Sequence, residues 1–197
     1  MRNRVSLFNP TVSNIGSFER FLANNDINSI FVDIDDIVET KTLIICGVSG
    51  LSLKDENYIL HLRSWVRSLL ANNIRIIGIC AGMQMLFSFT EESSEEMLSL
   101  IKGKVNKLDF SPQLTNTFIG FRNVLIPGTN KNSKAYFSHG YGITEFFPEE
   151  LLNYVTVELE SNQFFLVYFE ADNLIGFQFH PERSSEDWRN YLISKIL

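Results

Sequence analysis

Ile76-Ile77-Gly78-Ile79-Cys80-Ala81-Gly82-Met83-Gln84 decides the fold. Ile74–Ile79 is a near-continuous apolar run, the signature of a strand buried on both faces of a parallel sheet. Ala81 to Phe87 then reads as helix. Gly-x-Cys-x-Gly at such a strand-to-helix junction is the cysteine form of a nucleophile elbow. The tight turn exposes the Cys80 side chain, and Gly78 and Gly82 remove side chains that would collide as it closes. The helix N-terminus favours the thiolate, and the Ala81 N–H points toward a developing oxyanion. Chance would produce the pattern only about 0.006 times in a chain of this composition, so a motif of this kind is a signal.

Outward from that junction, the first half alternates strands and helices. Val5–Phe8, Ile30–Val32 and Leu43–Ile45 read as short strands, the last two as buried ones. Apolar residues at 15, 18, 21 and 22 mark one helical face. Ile59, Leu62, Val66 and Leu69-Leu70 mark another, within Asn57–Leu70. The pattern predicts βαβ units: an α/β, flavodoxin-like fold with an open, mostly parallel sheet and helices on both faces. The second half is strand-rich, with strands expected at Lys104–Phe110, Thr117–Ile126, Ala135–Phe137, Tyr154–Leu159, Phe164–Phe169 and Leu174–Phe179. The acidic stretch Glu91–Glu96 reads as a solvated loop or helix start, and a helix over Glu186–Ile196 closes the chain.

Composition narrows the role. The chain has 197 residues, 45% of them hydrophobic, which suits a single domain over 1–197 with its own core. The net charge of −6 gives no global attraction to nucleic acid or anionic membranes. No apolar run reaches the roughly 18 residues of a membrane helix. Two cysteines, Cys46 and Cys80, cannot form a disulfide framework, and the N-terminus shows no secretory segment, so a reduced cytoplasmic protein is expected. The three histidines show no zinc-site spacing, and His61 receives no role.

A cysteine nucleophile needs an imidazole base and a group to orient it. Ile175-Gly176-Phe177-Gln178-Phe179-His180-Pro181-Glu182 supplies both: an apolar strand ends at His180, and a carboxylate follows two residues on. Pro181 stiffens the turn between them.

The elbow together with Phe179-His180-Pro181-Glu182 resembles the class I glutamine amidotransferase family, over essentially the whole chain. Within it the likeness is greatest to glutaminase subunits of imidazole glycerol phosphate synthases, which act in histidine biosynthesis. The resemblance implies a catalytic triad of Cys80, His180 and Glu182. It implies an oxyanion hole from the Ala81 N–H and the Gly47-Val48 loop. Gln84 and Glu92 match substrate-contacting positions, though Gln84 also reads as a helix-face polar residue and Glu91 and Glu95 rival Glu92. Ser138-His139-Gly140, within Tyr136–Tyr141, matches a segment near the substrate; a loop histidine after a strand is the other reading of His139. No cofactor or metal is implied. The reaction implied is hydrolysis of L-glutamine through a cysteinyl thioester, with ammonia passed to a (β/α)₈-barrel synthase or cyclase subunit.

The chain departs from the family pattern in three places. The loop Pro-Gly-Val-Gly is Cys46-Gly47-Val48-Ser49 here, with Cys46 expected to be a packed small residue. Asn9-Pro10-Thr11 and Phe118-Ile119-Gly120-Phe121-Arg122 also differ, toward the surface where the family meets its synthase. Those changes keep one alternative open, a paralogue supplying ammonia for amidation of a bacterial surface-polysaccharide sugar; the elbow by itself keeps another, a different Cys-elbow hydrolase such as a γ-glutamyl hydrolase. A catalytically silent binding subunit is a third, against which the complete triad argues.

Overall fold

The apolar spacing of the first half builds alternating elements, in the order β1 (Asn3–Phe8), α1 (Gly16–Asn24), β2 (Ile27–Phe31), β3 (Thr42–Ile45), α2 (Glu56–Ala71), β4 (Arg75–Ile79) and α3 (Ala81–Gln84). The second half adds β5 (Phe89–Thr90), β6 (Glu95–Glu96), β7 (Gly103–Lys107), β8 (Phe118–Leu125), β9 (Asn132–His139), β10 (Tyr141–Phe146), β11 (Asn153–Glu158), β12 (Phe164–Ala171), β13 (Leu174–Phe177) and α4 (Glu186–Ile196). The computed structural model describes residues 3–10, 15–47, 56–92, 95–109 and 118–197.

Parallel strands form one half of the main sheet, in the order β2-β1-β3-β4-β13. From β12 onward pairing is antiparallel, through β10 and β7, except that β5 runs parallel to β7. β11 flanks β12, and β8 pairs with β9 as a separate two-stranded ribbon. The result is the α/β fold with a mostly parallel central sheet that the sequence predicts.

Every residue of β3 is buried because helices cover both faces of the sheet. Ile44 and Cys46 point to the face covered by α1, α4 and the β8–β9 ribbon; Leu43 and Ile45 point to the face covered by α2 and α3. α4 docks through Trp188, Leu192 and Ile196, each one helical turn after the last. Trp188 is fully buried and lies edge-on to Phe179 at 4.7 Å. It therefore ties α4 to the strand end that carries His180. No helix among the described residues is long and apolar enough to cross a membrane.

Several expectations need correcting. β2 is not a buried strand: it borders the sheet, pairs only with β1 among the described residues, and leaves Ile30 and Phe31 38% and 52% exposed. The helix expected over Ala81–Phe87 is one turn, Ala81–Gln84. The segment after β6 explains this, because the N–H groups of Leu98 and Leu100 donate to the carbonyls of Met85 and Leu86 and divert them from helical bonding. The acidic stretch is neither simple loop nor helix start, since Glu95–Glu96 pairs with Phe89–Thr90. β10 was not anticipated; Tyr141–Phe146 mixes polar and apolar residues without clear alternation. Residues 11–14, 48–55 and 110–117, where Thr11, Val48, Ser49 and Phe110 fall, lie outside the described residues.

Candidate active site

Strand pairing assembles the site. In the parallel register, Ile79 of β4 sits beside Phe177 of β13, and Ile45 of β3 beside Gly78 of β4. The residues that follow each pair leave the same end of the sheet, where open α/β sheets place their ligands. Cys80 and His180, far apart in sequence, are therefore neighbours, and Gly47 lies over Cys80. The Cys80 N–H donates to the Phe177 carbonyl at 2.7 Å, locking the two strand ends together.

Cys80 has φ 54° and ψ −114°, a conformation costly for a residue with a Cβ. Crowding around the turn makes it possible only with glycine on both sides. A Cβ at Gly78 would stand 2.6 Å from the Gly82 carbonyl oxygen, and one at Gly82 only 2.1 Å from the Ile45 oxygen. Both flanking glycines are thus sterically required. At Gly47 an added Cβ would meet the Ile79 oxygen at 2.8 Å and the Cys80 Cβ at 3.0 Å, so Gly47 lies against the nucleophile. Because α3 is a single turn, it contributes little macrodipole at Cys80.

His180 is close enough to Cys80 for the thiol to act on its titration, and its Nδ1 hydrogen-bonds to Glu182 Oε1 at 3.2 Å. Pro181–Arg183 forms a 3-10 turn with the proline at its start, which brings the carboxylate back to the imidazole. Burial pulls the His180 pKa down, but Cys80 and Glu182 outweigh it and raise the value to about 10. The Glu182 side chain is 3% exposed, and its Oε2 makes no hydrogen bond with the described residues. A cavity of about 80 Å³ lies beside it, lined by Ser17, Phe18, Cys46, Gly47 and His180.

Sequence reasoning passed over Ser184, which clamps this turn. Its hydroxyl donates to the His180 carbonyl at 2.7 Å and accepts from the Tyr136 N–H at 2.9 Å. The His180 N–H in turn donates to the Tyr136 carbonyl at 2.8 Å. Its position just after His-Pro-Glu-Arg, where the 3-10 turn leaves backbone groups unpaired, was the available signal. The Arg183 guanidinium caps the Tyr136 ring at 4.1 Å.

Gln84 is buried, and its Nε2 donates to the Tyr141 carbonyl at 2.8 Å and to Gln178 Oε1 at 3.1 Å. Gln178, also overlooked from sequence, is completely buried. Glu92 is exposed at the turn after β5, and its neighbour Glu91 accepts from the Lys107 N–H. His139 ends β9 inside a box of Phe118, Phe137 and Phe165, with ring centroids 5.6–5.9 Å away. Neither ring nitrogen makes a hydrogen bond of ordinary geometry to the described residues. Burial pushes the His139 pKa down to about 3, so the ring is neutral at physiological pH. Ser138 and Gly140 flank it; Gly140 offers its carbonyl to the Leu108 N–H. Cys46 is buried as expected, and burial first, then Glu182 and Glu19, raise its thiol pKa to about 12. Among the described residues no group of three or more His, Cys, Asp or Glu could hold a metal ion.

Comparison with known proteins shows the family to which the chain belongs. Residues 17–197 match the family described as Glutamine amidotransferase class-I. The chain is 30% identical over 186 residues to the imidazole glycerol phosphate synthase subunit HisH of Leptospira interrogans, covering 88% of this chain and 89% of the relative. Against HisH of Blochmanniella floridana it is 29% identical over 197 residues, covering 92% and 93%. A crystal structure of a glutamine amidotransferase superposes with TM-score 0.74 at 16% identity, covering 98% of both chains. The structure of PurLQS from Thermotoga maritima gives 0.71 at 17% identity, covering 100% of this chain and 98% of that one.

Proposed function

The chain belongs to the class I glutamine amidotransferase family and is a glutaminase, and from that premise we propose that it feeds ammonia to a separate synthase, as one domain over residues 1–197. The observation that carries the reading is Cys80, held at positive φ at the end of β4 beside a His180 whose Nδ1 pairs with Glu182. Cys80 Sγ attacks the carboxamide carbon of L-glutamine. The Ala81 N–H and a backbone N–H of the Gly47-Val48 loop stabilise the oxyanion. His180, whose raised pKa keeps its proton available, protonates the departing ammonia. It then takes a proton from the water that hydrolyses the thioester, releasing glutamate. Gln84, Glu92 and the Ser138-His139-Gly140 segment contribute to the substrate side of the pocket. His139, enclosed by phenylalanines, does so by shaping the wall.

The partner is a (β/α)₈-barrel synthase or cyclase subunit in the cytoplasm, as in histidine biosynthesis. The likeness to HisH over about nine-tenths of the chain supports it. So does an apolar surface next to the site: Ile119 and Phe121 are 60% and 52% exposed, Phe121 meets Tyr136 edge-on, and the Tyr136 ring lies tilted beside His180. The same strand favours a second reading. Its Phe118–Arg122 sequence differs from the family pattern, with Arg122 folded over Phe118 at 4.5 Å, which suits a synthase of a different branch, such as one amidating a surface sugar.

Co-expression with a barrel cyclase tests the proposal. The assembled complex should make product from glutamine and be inactivated by 6-diazo-5-oxo-L-norleucine attached to Cys80. Glutamine-dependent product from a Cys80→Ala complex would refute the nucleophile assignment. Stable assembly with a sugar-amidating synthase instead of a cyclase would favour the second reading.

A further inference from the structure

Gln84 is the last residue of α3, one turn beyond Cys80, and its backbone N–H donates to the Cys80 carbonyl at 3.2 Å. Its side chain is a carboxamide, whose two ends have nearly the same shape and opposite hydrogen-bonding character. Which end faces which way is therefore decided by its partners. Tyr141 offers a backbone carbonyl, which can only accept, at 2.8 Å. The Nε2 end of Gln84 must point there. That nitrogen has a second N–H, and it is directed to Gln178 Oε1 at 3.1 Å. Turning the Gln178 amide over would place nitrogen against nitrogen, donor against donor. Gln178 is thus committed to presenting oxygen.

That commitment has a cost. Gln178 is completely buried, and its own Nε2 makes no hydrogen bond with the described residues. An unpaired buried amide nitrogen is destabilising, because it loses its water without gaining a partner. A position whose only task was packing would do better with an apolar side chain, as at the adjacent Phe177 and Phe179, both fully buried. What the arrangement secures lies at the other end of Gln84. With both N–H groups engaged by Tyr141 and Gln178, its Oε1 is turned away from those two partners. It is a fixed acceptor within one helical turn of the nucleophile.

We infer that Gln178 is a positioning residue: it fixes the Gln84 amide so that Oε1, and not the NH₂ group, faces the substrate and accepts from an N–H donor of L-glutamine. This rests on the glutaminase reading. The carboxamide and the α-ammonium of glutamine both supply such donors. An NH₂ group presented in place of Oε1 would meet them donor to donor.

Protection of Cys80 tests the inference without a partner subunit. Iodoacetamide alkylates Cys80 with and without L-glutamine, and the glutamine concentration that halves the rate is read for each variant. Gln178→Met preserves volume and removes the acceptor; Gln178→Asn keeps the amide but withdraws it by one methylene. Each should raise the half-protecting concentration about tenfold, equivalent to about 1.4 kcal/mol, with the rate in the absence of glutamine within twofold of wild type. Gln178→Glu, which returns an oxygen to the same place, should restore protection to within about threefold. Should one apolar or shortened variant fail to fold, the other carries the test. Unchanged protection in Met and Asn variants overturns the inference, and so does a parallel fall in the glutamine-free rate, which marks a merely structural role. If glutamine fails to protect even the wild-type protein, it is the glutaminase reading that falls.

Discussion

Glu182 Oε1 lies 3.2 Å from His180 Nδ1, although only Pro181 separates the two residues in the chain. Side chains two apart on an extended strand would point to the same face without meeting so closely. The 3-10 turn at Pro181–Arg183, clamped by Ser184 to β9, bends the carboxylate back onto the ring. The imidazole is thereby held with Nε2 free to serve Cys80.

Glu182→Gln keeps the shape of that contact and removes its charge. The His180 pKa should fall, because one of the interactions that raises it is weakened. Glutamine turnover in the assembled complex should drop on the order of 10²-fold, with a smaller change in KM. Turnover within twofold of wild type would mean that Glu182 does not orient the base.

Folding stability should decline on both sides of about pH 6.5, the ordinary histidine value. His180 has its folded pKa raised to about 10, so its contribution is complete below about 6.5 and disappears as pH climbs toward 10. His139 has its folded pKa lowered to about 3, so its contribution is present above about 6.5 and is lost as pH falls toward 3. Urea melts across this range, with histidine ring titrations by NMR, check both limbs. His139→Phe should flatten the acid limb and leave the alkaline one.

The two thiols should differ in reactivity. Iodoacetamide should modify Cys80 in the folded protein and leave Cys46 untouched. Both are buried, at 7% and 4% exposure, contrary to the exposed Cys80 that the turn predicts. The Cys46 thiol pKa, however, is raised to about 12, whereas Cys80 has His180 beside it. Peptide mass spectrometry before and after unfolding in urea would show one site, then two. Native modification of Cys46 first would contradict the geometry.

α4 should depend on a small polar network. Glu170 Oε1 accepts from Lys195 Nζ at 2.7 Å, from the Tyr191 hydroxyl at 3.0 Å and from the Tyr168 hydroxyl. Burial pushes the Glu170 pKa up, but these three donors outweigh it and hold it below the usual carboxylate range. Glu170→Leu should cost about 2–3 kcal/mol by urea denaturation, because it strips the acceptor from two half-buried hydroxyls and an ammonium. Lys195→Met should cost less, since the two tyrosines still reach the carboxylate.

Local chemistry was legible in the chain. Gly78-x-Cys80-x-Gly82 between an apolar strand and a helical start already specifies a strained elbow, because the steric demand involves only neighbouring residues. His180-Pro181-Glu182 likewise reads as a base with its carboxylate, since both lie in one turn. The helical and buried-strand periodicities of α2, β3, β4 and α4 carried the class of fold in the same way.

Only the tertiary structure decided what depends on pairing distant segments. The register of β4 with β13 sets Cys80 beside His180, and it follows from which alignment buries both apolar strands under helices. The exposure of β2 comes from its place at the sheet border, which its own residues do not encode. The orientation of Gln84 is settled by a carbonyl from β10 and an amide just beyond β13. Hydrogen-bond direction between such residues is set by what stands opposite, and periodicity along one chain segment contains no information about that.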